Sequence, residues 1–204
     1  MKTGDSIFLT DGIGNMYEAS IVDTTTKQCT VKTIHTTHEY QKWPFHLHIG
    51  IAPTKNTDRF EWFLEKSTEI GIDVITPLLC SHSERTHLKI DRLQKVIIAA
   101  MKQSLKAYLP ELNVPVEFKQ FILRPFEGEK FIAYCSQDDP AELKNVYRKD
   151  AKALILIGPE GDFSPEEVDL AKKQGYIPIS LGKSRLRTET AGIVACTLIN
   201  FLNQ

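Results

Sequence analysis

The pattern of apolar and polar positions changes near residue 45. Before it, short runs of alternating β-branched and polar residues, such as 16–22 and 29–34, are separated by clusters of Gly, Asp and Thr, which predicts a small antiparallel β unit. After it, apolar runs of strand length alternate with stretches of helical periodicity, such as 58–70. This alternation predicts an α/β domain with a mostly parallel sheet over residues 46–204.

The second domain divides into five predicted strands and at least four predicted helices. The strands cover residues 45–52, 72–79, 131–135, 153–158 and 177–181. The helices cover residues 58–70, 91–108, 141–148 and 190–202. The run 153–158 is almost wholly apolar, as expected for a strand that is buried on both faces of the sheet.

Composition and charge exclude several classes of protein. The 204 residues are 42% hydrophobic and 25% charged, which is ordinary for a globular chain and excludes intrinsic disorder. No stretch approaches the roughly 20 apolar residues of a membrane span, and the first residues lack the apolar core of a secretory signal, so we expect a cytoplasmic protein. The formal net charge of −1 excludes a strongly basic chain. Contact with a polyanion would therefore use a local patch, for which Lys183, Arg185 and Arg187 are candidates.

Neither disulfides nor a metal site is indicated. The cysteines lack the Cys-x-x-Cys spacing of a zinc site. We expect buried thiols at Cys29, Cys80, Cys135 and Cys196. His46 and His48 share one face of a predicted strand, which favours a structural or surface role, and we expect no metal.

The densest chemical signal follows the apolar strand that ends at Gly158. Ser164, Pro165 and Glu167 have the order of a helix N-cap, a proline at the first helical position and a capping-box glutamate. Ligands of parallel sheets bind beyond the carboxyl ends of strands. Glu160 is a charged residue in this loop and indicates a ligand such as a sugar hydroxyl, although a well-capped β–α turn is the alternative.

A second loop, residues 181–191, also joins a strand to a helix. Thr188 is the predicted N-cap of that helix, and Arg187 precedes it. A cation at the positive end of a helix is unfavourable unless an anion or an acidic side chain lies nearby. Arg187 therefore indicates an anionic ligand, or else a purely structural pair with Glu189 or Glu160.

The two loops resemble motifs of a known family. Gly-Pro-Glu-Gly-x-Phe-Ser-Pro-Glu-Glu at 158–167 and Leu-Gly-x-x-x-Leu-Arg-Thr-Glu-Thr-Ala at 181–191 are similar to those of the bacterial 16S ribosomal RNA (uracil-N3)-methyltransferases, which are SPOUT-type enzymes. Residues 66–72 and 83–85 resemble further family stretches. The likeness covers residues from about 45 onward well and the earlier ones loosely. It departs at Asp162, where the family usually has glycine, and at Arg185, where it usually has isoleucine.

The resemblance implies a fold and an activity. It implies a trefoil-knotted, mostly parallel sheet with helices on both faces over residues 46–204, preceded by a small β-barrel-like (PUA-like) RNA-binding domain, residues 1–45, that looks incomplete. It implies S-adenosylmethionine-dependent methylation of N3 of a specific uridine in 16S ribosomal RNA or the small ribosomal subunit, by a homodimer. Two alternatives stay open: another knotted methyltransferase acting on transfer RNA or a ribose, and a non-catalytic RNA-binding assembly protein.

The resemblance also assigns roles to residues. In the implied reaction Arg187 stabilises the uracil anion, and Glu189 or a water molecule is the base. Residues that would bind S-adenosylmethionine are Tyr134, Leu156, Gly158, Pro159, Glu160, Gly161, Leu181, Gly182, Leu186, Thr190 and Ala191. The clustering of cations beside the motifs separately indicates residues that would bind RNA: Arg85, Lys89, Lys183, Arg185 and Lys66.

Overall fold

The computed structural model describes residues 1–134 and 140–204, so the predicted thiol Cys135 lies outside the described residues. The chain divides into two compact units. The first comprises Met1–Trp43 and Met101–Leu109, and the second comprises Pro44–Ala100 and Pro110–Gln204. Residues 101–109, which the sequence pattern places in the second domain, thus belong to the first unit.

The first unit contains a three-stranded antiparallel sheet. Its strands are β1 (Ser6–Thr10), β2 (Met16–Thr24) and β3 (Cys29–Thr37), in the order β1-β2-β3. This confirms the antiparallel β unit that the alternating pattern predicts. Ala19 and Ile21 of the central strand are fully or almost fully buried.

The helix predicted over residues 91–108 is wrong in its second half, because the helix ends at Gln103. Leu105 has a φ of 54°, which turns the chain out of the helical path. The backbone after the turn then bonds with the loop between β1 and β2 instead of continuing the helix: Gly14 N–H donates to the Ala107 carbonyl at 2.9 Å. Apolar periodicity alone does not register such a non-local exchange of hydrogen bonds.

The second unit contains a seven-stranded sheet in which every described pairing is parallel. Its order is β10-β8-β9-β4-β5-β6, with β7 also paired to β5. The strands are β4 (His46–Ile51), β5 (Val74–Leu79), β6 (Glu111–Leu112), β7 (Val116–Glu117), β8 (Glu129–Ala133), β9 (Lys152–Ile157) and β10 (Ile177–Ile179). The mostly parallel α/β class is thus confirmed, whereas the pattern gave no sign of the two-residue strands β6 and β7.

Six helices are described in the chain. They are α1 (Thr57–Ile70), α2 (Ile90–Gln103), α3 (Phe118–Phe121), α4 (Leu143–Val146), α5 (Pro165–Lys173) and α6 (Thr188–Leu202). The helix predicted over 141–148 is only the single turn of α4. Thr188 is not the N-cap of the last helix, since that position is Arg187, and Thr188 is the first helical residue.

Helices cover both faces of the sheet. On one face, Phe118 of α3 and Val168 of α5 belong to a buried cluster that includes Leu154 and Leu156 of β9. On the other face, α6 packs against α1 at Gly192, where an added Cβ would lie 2.6 Å from the Phe63 ring. Glycine at this position therefore permits the close approach of the two helices.

Tyr176 carries a buried hydroxyl that finds no hydrogen-bond partner among the described residues. Burial raises the pKa of this phenol. Because an unpaired buried hydroxyl costs free energy, Tyr176→Phe is expected to raise the free energy of unfolding by about 1 kcal/mol. Urea denaturation of both proteins measures the difference. A variant that is less stable than the parent by a similar amount would show that the hydroxyl does have a partner.

The described cysteines differ in their burial. Cys80 and Cys196 are buried as predicted, but Cys29 is exposed, because it begins the edge strand β3. Within residues 1–134 and 140–204, no group of three or more His, Cys, Asp or Glu side chains is placed to hold a metal ion. No helix in that same part of the chain has the length and apolar character needed to cross a bilayer.

Candidate functional site

A cavity of about 1010 Å³ lies at the carboxyl ends of three strands of the parallel sheet. It is lined by the last residues of these strands, Ala133 of β8, Ile157 of β9 and Ile179 of β10, and by the loops that follow them. This is the edge at which open parallel sheets bind small molecules. The volume is at the upper end of the range for ligand pockets, roughly 300–1,000 Å³.

The cavity brings together the two loops that the sequence singled out. Glu160, from the loop after β9, and Arg187, from the loop after β10, both line it, although 27 positions separate them in the sequence. The predicted site residues that line the cavity are Tyr134, Gly158, Pro159, Glu160, Leu181, Gly182, Lys183, Arg185, Leu186, Arg187 and Ala191.

Four of the residues predicted for catalysis or cofactor binding lie outside the lining. Leu156 is fully buried in the core cluster beneath the loop. A Cβ added to Gly161 would lie 3.1 Å from His82 Cβ, so this residue faces the chain segment after β5. Thr190 and Glu189 are turned away, because successive helical residues point in directions about 100° apart and only Thr188 and Ala191 of the first turn line the cavity.

One wall of the cavity is formed by residues that the sequence analysis did not name individually. Pro140, Ala141, Glu142 and Asn145 line it, and Glu142 forms a parallel bridge with Ser180 next to β10. This segment carries no recognisable motif, so its part in the site follows only from its pairing beside β10.

The loop after β9 is held in place by hydrogen bonds from several elements. The Lys55 N–H donates to Glu160 Oε1 at 3.0 Å, and the Thr188 hydroxyl donates to the Gly158 carbonyl at 3.0 Å. Asp162 has a φ of 63°, a conformation that glycine adopts readily, and its Oδ1 accepts the Phe163 N–H at 2.8 Å. The aspartate thus fits the loop by bonding to the next backbone group.

The start of α5 is the predicted capping box, which the structure confirms. The Ser164 hydroxyl accepts the Glu167 N–H, and Glu167 Oε2 accepts the Ser164 N–H at 2.9 Å. The other oxygen of the buried Glu167 carboxylate accepts the Ser81 N–H at 2.8 Å. One carboxylate therefore ties the start of α5 to the loop after β5.

Glu167→Ala is expected to lower the free energy of unfolding by about 2–3 kcal/mol, because the Ser81 N–H and the buried Ser164 N–H both lose a charged acceptor. Urea denaturation measures the loss. Glu166→Ala, on the same helical turn but exposed, serves as the matched control and should change stability by less than about 0.5 kcal/mol. Equal losses in the two variants would contradict this account of Glu167.

Arg187 and Glu189 do not form the structural pair that the sequence left open. Arg187 is exposed at the N-cap of α6 and has no ion pair within the described part of the chain. Glu189 is buried, with Oε1 at 3.8 Å from Nε of Arg59 on α1. Its Oε2 has no hydrogen-bond partner among the described residues. Arg187 therefore faces the cavity with its charge uncompensated, while Glu189 belongs to the α1–α6 side.

The five cations predicted to bind RNA fall into different environments. Lys183 and Arg185 are exposed in the lining of the cavity, and Lys89 is exposed just before α2. Lys66 instead bonds to Glu65 at 2.6 Å and to Glu69 at 3.0 Å, and these hydrogen bonds raise its pKa. Arg85 donates both of its described hydrogen bonds to a backbone carbonyl of the protein.

The chain is similar to known proteins along its length. A family model described as an RNA methyltransferase domain matches residues 41–200. Proteins named ribosomal RNA small subunit methyltransferase E are similar to it: that of Synechocystis sp. is 31% identical over 99% of this chain and 68% of its own length, and that of Bacillus subtilis is 27% identical over 98% and 83%.

Solved structures show the same likeness. A probable rRNA-methyltransferase from Porphyromonas gingivalis is 43% identical, with a TM-score of 0.93 over 100% of this chain and 87% of that one. A putative methyltransferase from Legionella pneumophila in complex with the bound cofactor SAM is 30% identical, with a TM-score of 0.89 over 100% and 85%. The segment matched by the family model contains every cavity-lining residue.

Proposed function

Because this chain belongs to the RNA methyltransferase family, we propose that it transfers the methyl group of S-adenosylmethionine to N3 of a uridine in 16S ribosomal RNA of the small ribosomal subunit. The observation that carries the proposal is the meeting of the two motif loops, with Glu160 and Arg187, in one cavity at the carboxyl edge of the sheet. The names of the relatives, which act on small-subunit ribosomal RNA, support the choice of substrate.

The cavity fits S-adenosylmethionine in its volume and in the residues that line it. Glu160 Oε1 is engaged by the Lys55 N–H, whereas Oε2 accepts no hydrogen bond from the described residues and is available to a ribose hydroxyl. Gly182 has a φ of 120°, and no atom lies within 4 Å of the place where its Cβ would be, so the backbone leaves room for a ligand. Leu181 and Leu186 offer apolar surface for adenine. When bound, this group supplies an electrophilic methyl on a sulfonium sulfur.

Arg187 is proposed to stabilise the negative charge of the uracil. N3 becomes nucleophilic when it loses its proton, and the charge then spreads to the neighbouring oxygens. The exposed guanidinium of Arg187 lies at the N-terminus of α6, where the helix adds partial positive charge of the same sign. Preorganised positive charge at the place where an anion develops is the kind of arrangement that lowers such barriers.

Proton removal is assigned to a water molecule rather than to Glu189. The Glu189 carboxylate lies outside the lining of the cavity and next to Arg59. Arg187 is exposed, so solvent reaches the part of the cavity where the uracil would lie. Glu189 is then a residue that fixes the first turn of α6 against α1.

The RNA is proposed to approach over Lys183 and Arg185. Both are exposed in the lining of the cavity, so they can meet phosphates while a uridine that has left its stack enters. Since the net charge is only −1, this local patch rather than the whole surface would supply the attraction. The substrate is expected in the cytoplasm.

A homodimer is proposed, with α6 as part of the interface. The buried residues of α6 form one stripe, which includes Gly192, Ala195 and Ile199. Phe201 on another side of the helix is 69% exposed, and Trp62 on the neighbouring α1 is 43% exposed. A second copy of the chain would bury these exposed apolar side chains. Light scattering of the purified protein measures the mass directly.

The test of the function is a nucleoside analysis. The protein is incubated with S-adenosylmethionine and with small ribosomal subunits or naked 16S ribosomal RNA from a strain that lacks it, and the RNA is digested for mass spectrometry. Appearance of 3-methyluridine is the expected result. A ribose-methylated product, or methylation of transfer RNA instead, would identify another knotted methyltransferase. No product together with no S-adenosylmethionine binding in calorimetry would identify a non-catalytic RNA-binding protein.

A further inference from the structure

Residue 55, in the turn between β4 and α1, connects two other loops. The Arg85 guanidinium donates two hydrogen bonds to the Lys55 carbonyl oxygen, from Nε at 3.0 Å and from Nη2 at 2.8 Å. The Lys55 N–H donates to Glu160 Oε1 at 3.0 Å. Arg85 is thereby linked through one backbone residue to the carboxylate that lines the cavity.

Glu84 adds a second contact to the same residue. Its Oε2 lies 2.8 Å from Lys55 Nζ, and this hydrogen-bonded pair raises the pKa of Lys55. The ammonium group of Lys55 is bound to Glu84, and the hydrogen bond to Glu160 comes from the Lys55 backbone N–H. The adjacent residues Glu84 and Arg85 therefore hold both the side chain and the backbone of residue 55.

The loop after β5, residues 80–87, also contacts the loop after β9 directly. His82 Nδ1 lies 3.1 Å from the Gly161 carbonyl oxygen and 3.0 Å from that of Asp162. Ser81 N–H bonds to Glu167 at the start of α5. Strand β4 lies between β9 and β5 in the sheet, so the three loops that follow these strands share one edge. The loop after β5 thus supports the loop after β9 from the side.

We propose that Arg85 is a positioning residue for Glu160, and through Glu160 for the methyl donor, rather than a contact to RNA phosphate. The inference rests on the proposed function. Glu160 is exposed, and a free glutamate on a surface samples many rotamers. Fixing Oε1 to the Lys55 N–H points the carboxylate before any ligand arrives, so less conformational entropy is lost on binding. Arg85 keeps that N–H in place by bonding to the carbonyl of the same residue.

Calorimetry with S-adenosylmethionine and the full chain tests the link. Glu160→Ala is expected to weaken binding by about 30-fold and Arg85→Ala by about 10-fold, as for loss of hydrogen bonds to a charged group. The double variant is expected to be no more than about 2-fold weaker than Glu160→Ala alone, because Arg85 acts through Glu160. Losses that multiply in the double variant would overturn the inference.

Further variants distinguish a positioning role of Arg85 from a nonspecific effect of removing a surface charge. Arg85→Lys, which retains the charge but has no planar fork, should fall between the parent and Arg85→Ala. Lys95→Ala, the removal of an exposed charge on α2, is the matched control and should bind S-adenosylmethionine like the parent. In steady-state assays Arg85→Ala should raise the KM for S-adenosylmethionine more than it lowers kcat. Thermal unfolding establishes that each variant is folded. If Arg85→Ala does not fold, S-adenosylmethionine binding is compared between the parent and Arg85→Lys instead.

RNA binding measured at two salt concentrations tests the alternative, in which Arg85 contacts an RNA phosphate. Arg85→Ala is expected to keep the parent's RNA affinity and salt dependence. A weaker affinity with a salt slope reduced by about one, together with unchanged S-adenosylmethionine binding, would identify a phosphate contact and overturn the inference. A parent protein that binds no S-adenosylmethionine would instead refute the proposed function itself.

Discussion

Arg187→Ala is expected to lower kcat for methyl transfer by about 10²–10³-fold, the loss that follows removal of one preorganised group from a developing oxyanion. The affinity for S-adenosylmethionine is expected to stay within a factor of about two. The rate should fall because Arg187 is an exposed cavity residue without an ion pair in the described part of the chain, so its charge is available to the proposed uracil substrate. Single-turnover assays measure the rate, and calorimetry measures the affinity.

Two further variants test the role assigned to Arg187. Arg187→Lys should retain part of the rate, because an ammonium keeps the charge without the planar fork of donors. Lys173→Ala, which removes an exposed cation from the end of α5, should turn over like the parent. Undiminished turnover of Arg187→Ala would remove this residue from the mechanism, whereas a large loss of S-adenosylmethionine affinity would move its role to the cofactor.

Acidification from pH 7 to pH 4 is expected to reduce the free energy of unfolding by up to about 3 kcal/mol through His48 alone. Burial lowers the pKa of His48 to about 4 from an ordinary 6.5, with smaller contributions from His46 and Arg124. The unfolded chain takes up this proton near pH 6.5 and the folded chain only near pH 4. The unfolded state therefore binds more protons between these values, and stability falls as the pH decreases through this window.

Urea denaturation at intervals across this pH range measures the effect. In His48→Gln the amide can still bond to the Thr76 hydroxyl, which lies 2.8 Å from His48 Nε2, but it does not titrate, so the decrease should be smaller by about the same amount. His46→Gln, on the same strand, keeps His48 and should retain most of the decrease. Identical pH profiles for the parent and His48→Gln would show that His48 does not contribute.

Local patterns predicted the fold class and the motif loops well. The capping box at Ser164 and Glu167 depends on residues three positions apart, and the buried strand β9 is almost continuously apolar. Both features can therefore be predicted from a short stretch of sequence. The end of α2 was not predictable in this way. Residues after Gln103 bond to the loop between β1 and β2, which is more than ninety positions earlier in the chain.

In the candidate site too, local sequence shows some properties, whereas others depend on contacts between distant residues. Glu160 and Arg187 were identified from their unusual positions next to a strand end and a helix start, and both line the cavity. For Arg85 the sequence shows a charge but not its hydrogen-bond acceptor, which is the carbonyl of a residue thirty positions away. The roles of Leu156, Thr190 and Glu189 depend on which way each side chain points.

The sequence by itself determined the α/β class, the capping box at the start of α5 and the two motif loops that line the cavity, because these depend on neighbours along the chain. Only the tertiary structure decided which loops share an edge of the sheet, which charges are paired and which carboxylate is buried. Those properties arise from hydrogen bonds and packing between distant segments, whose free energy depends on distance in space and not on separation in sequence.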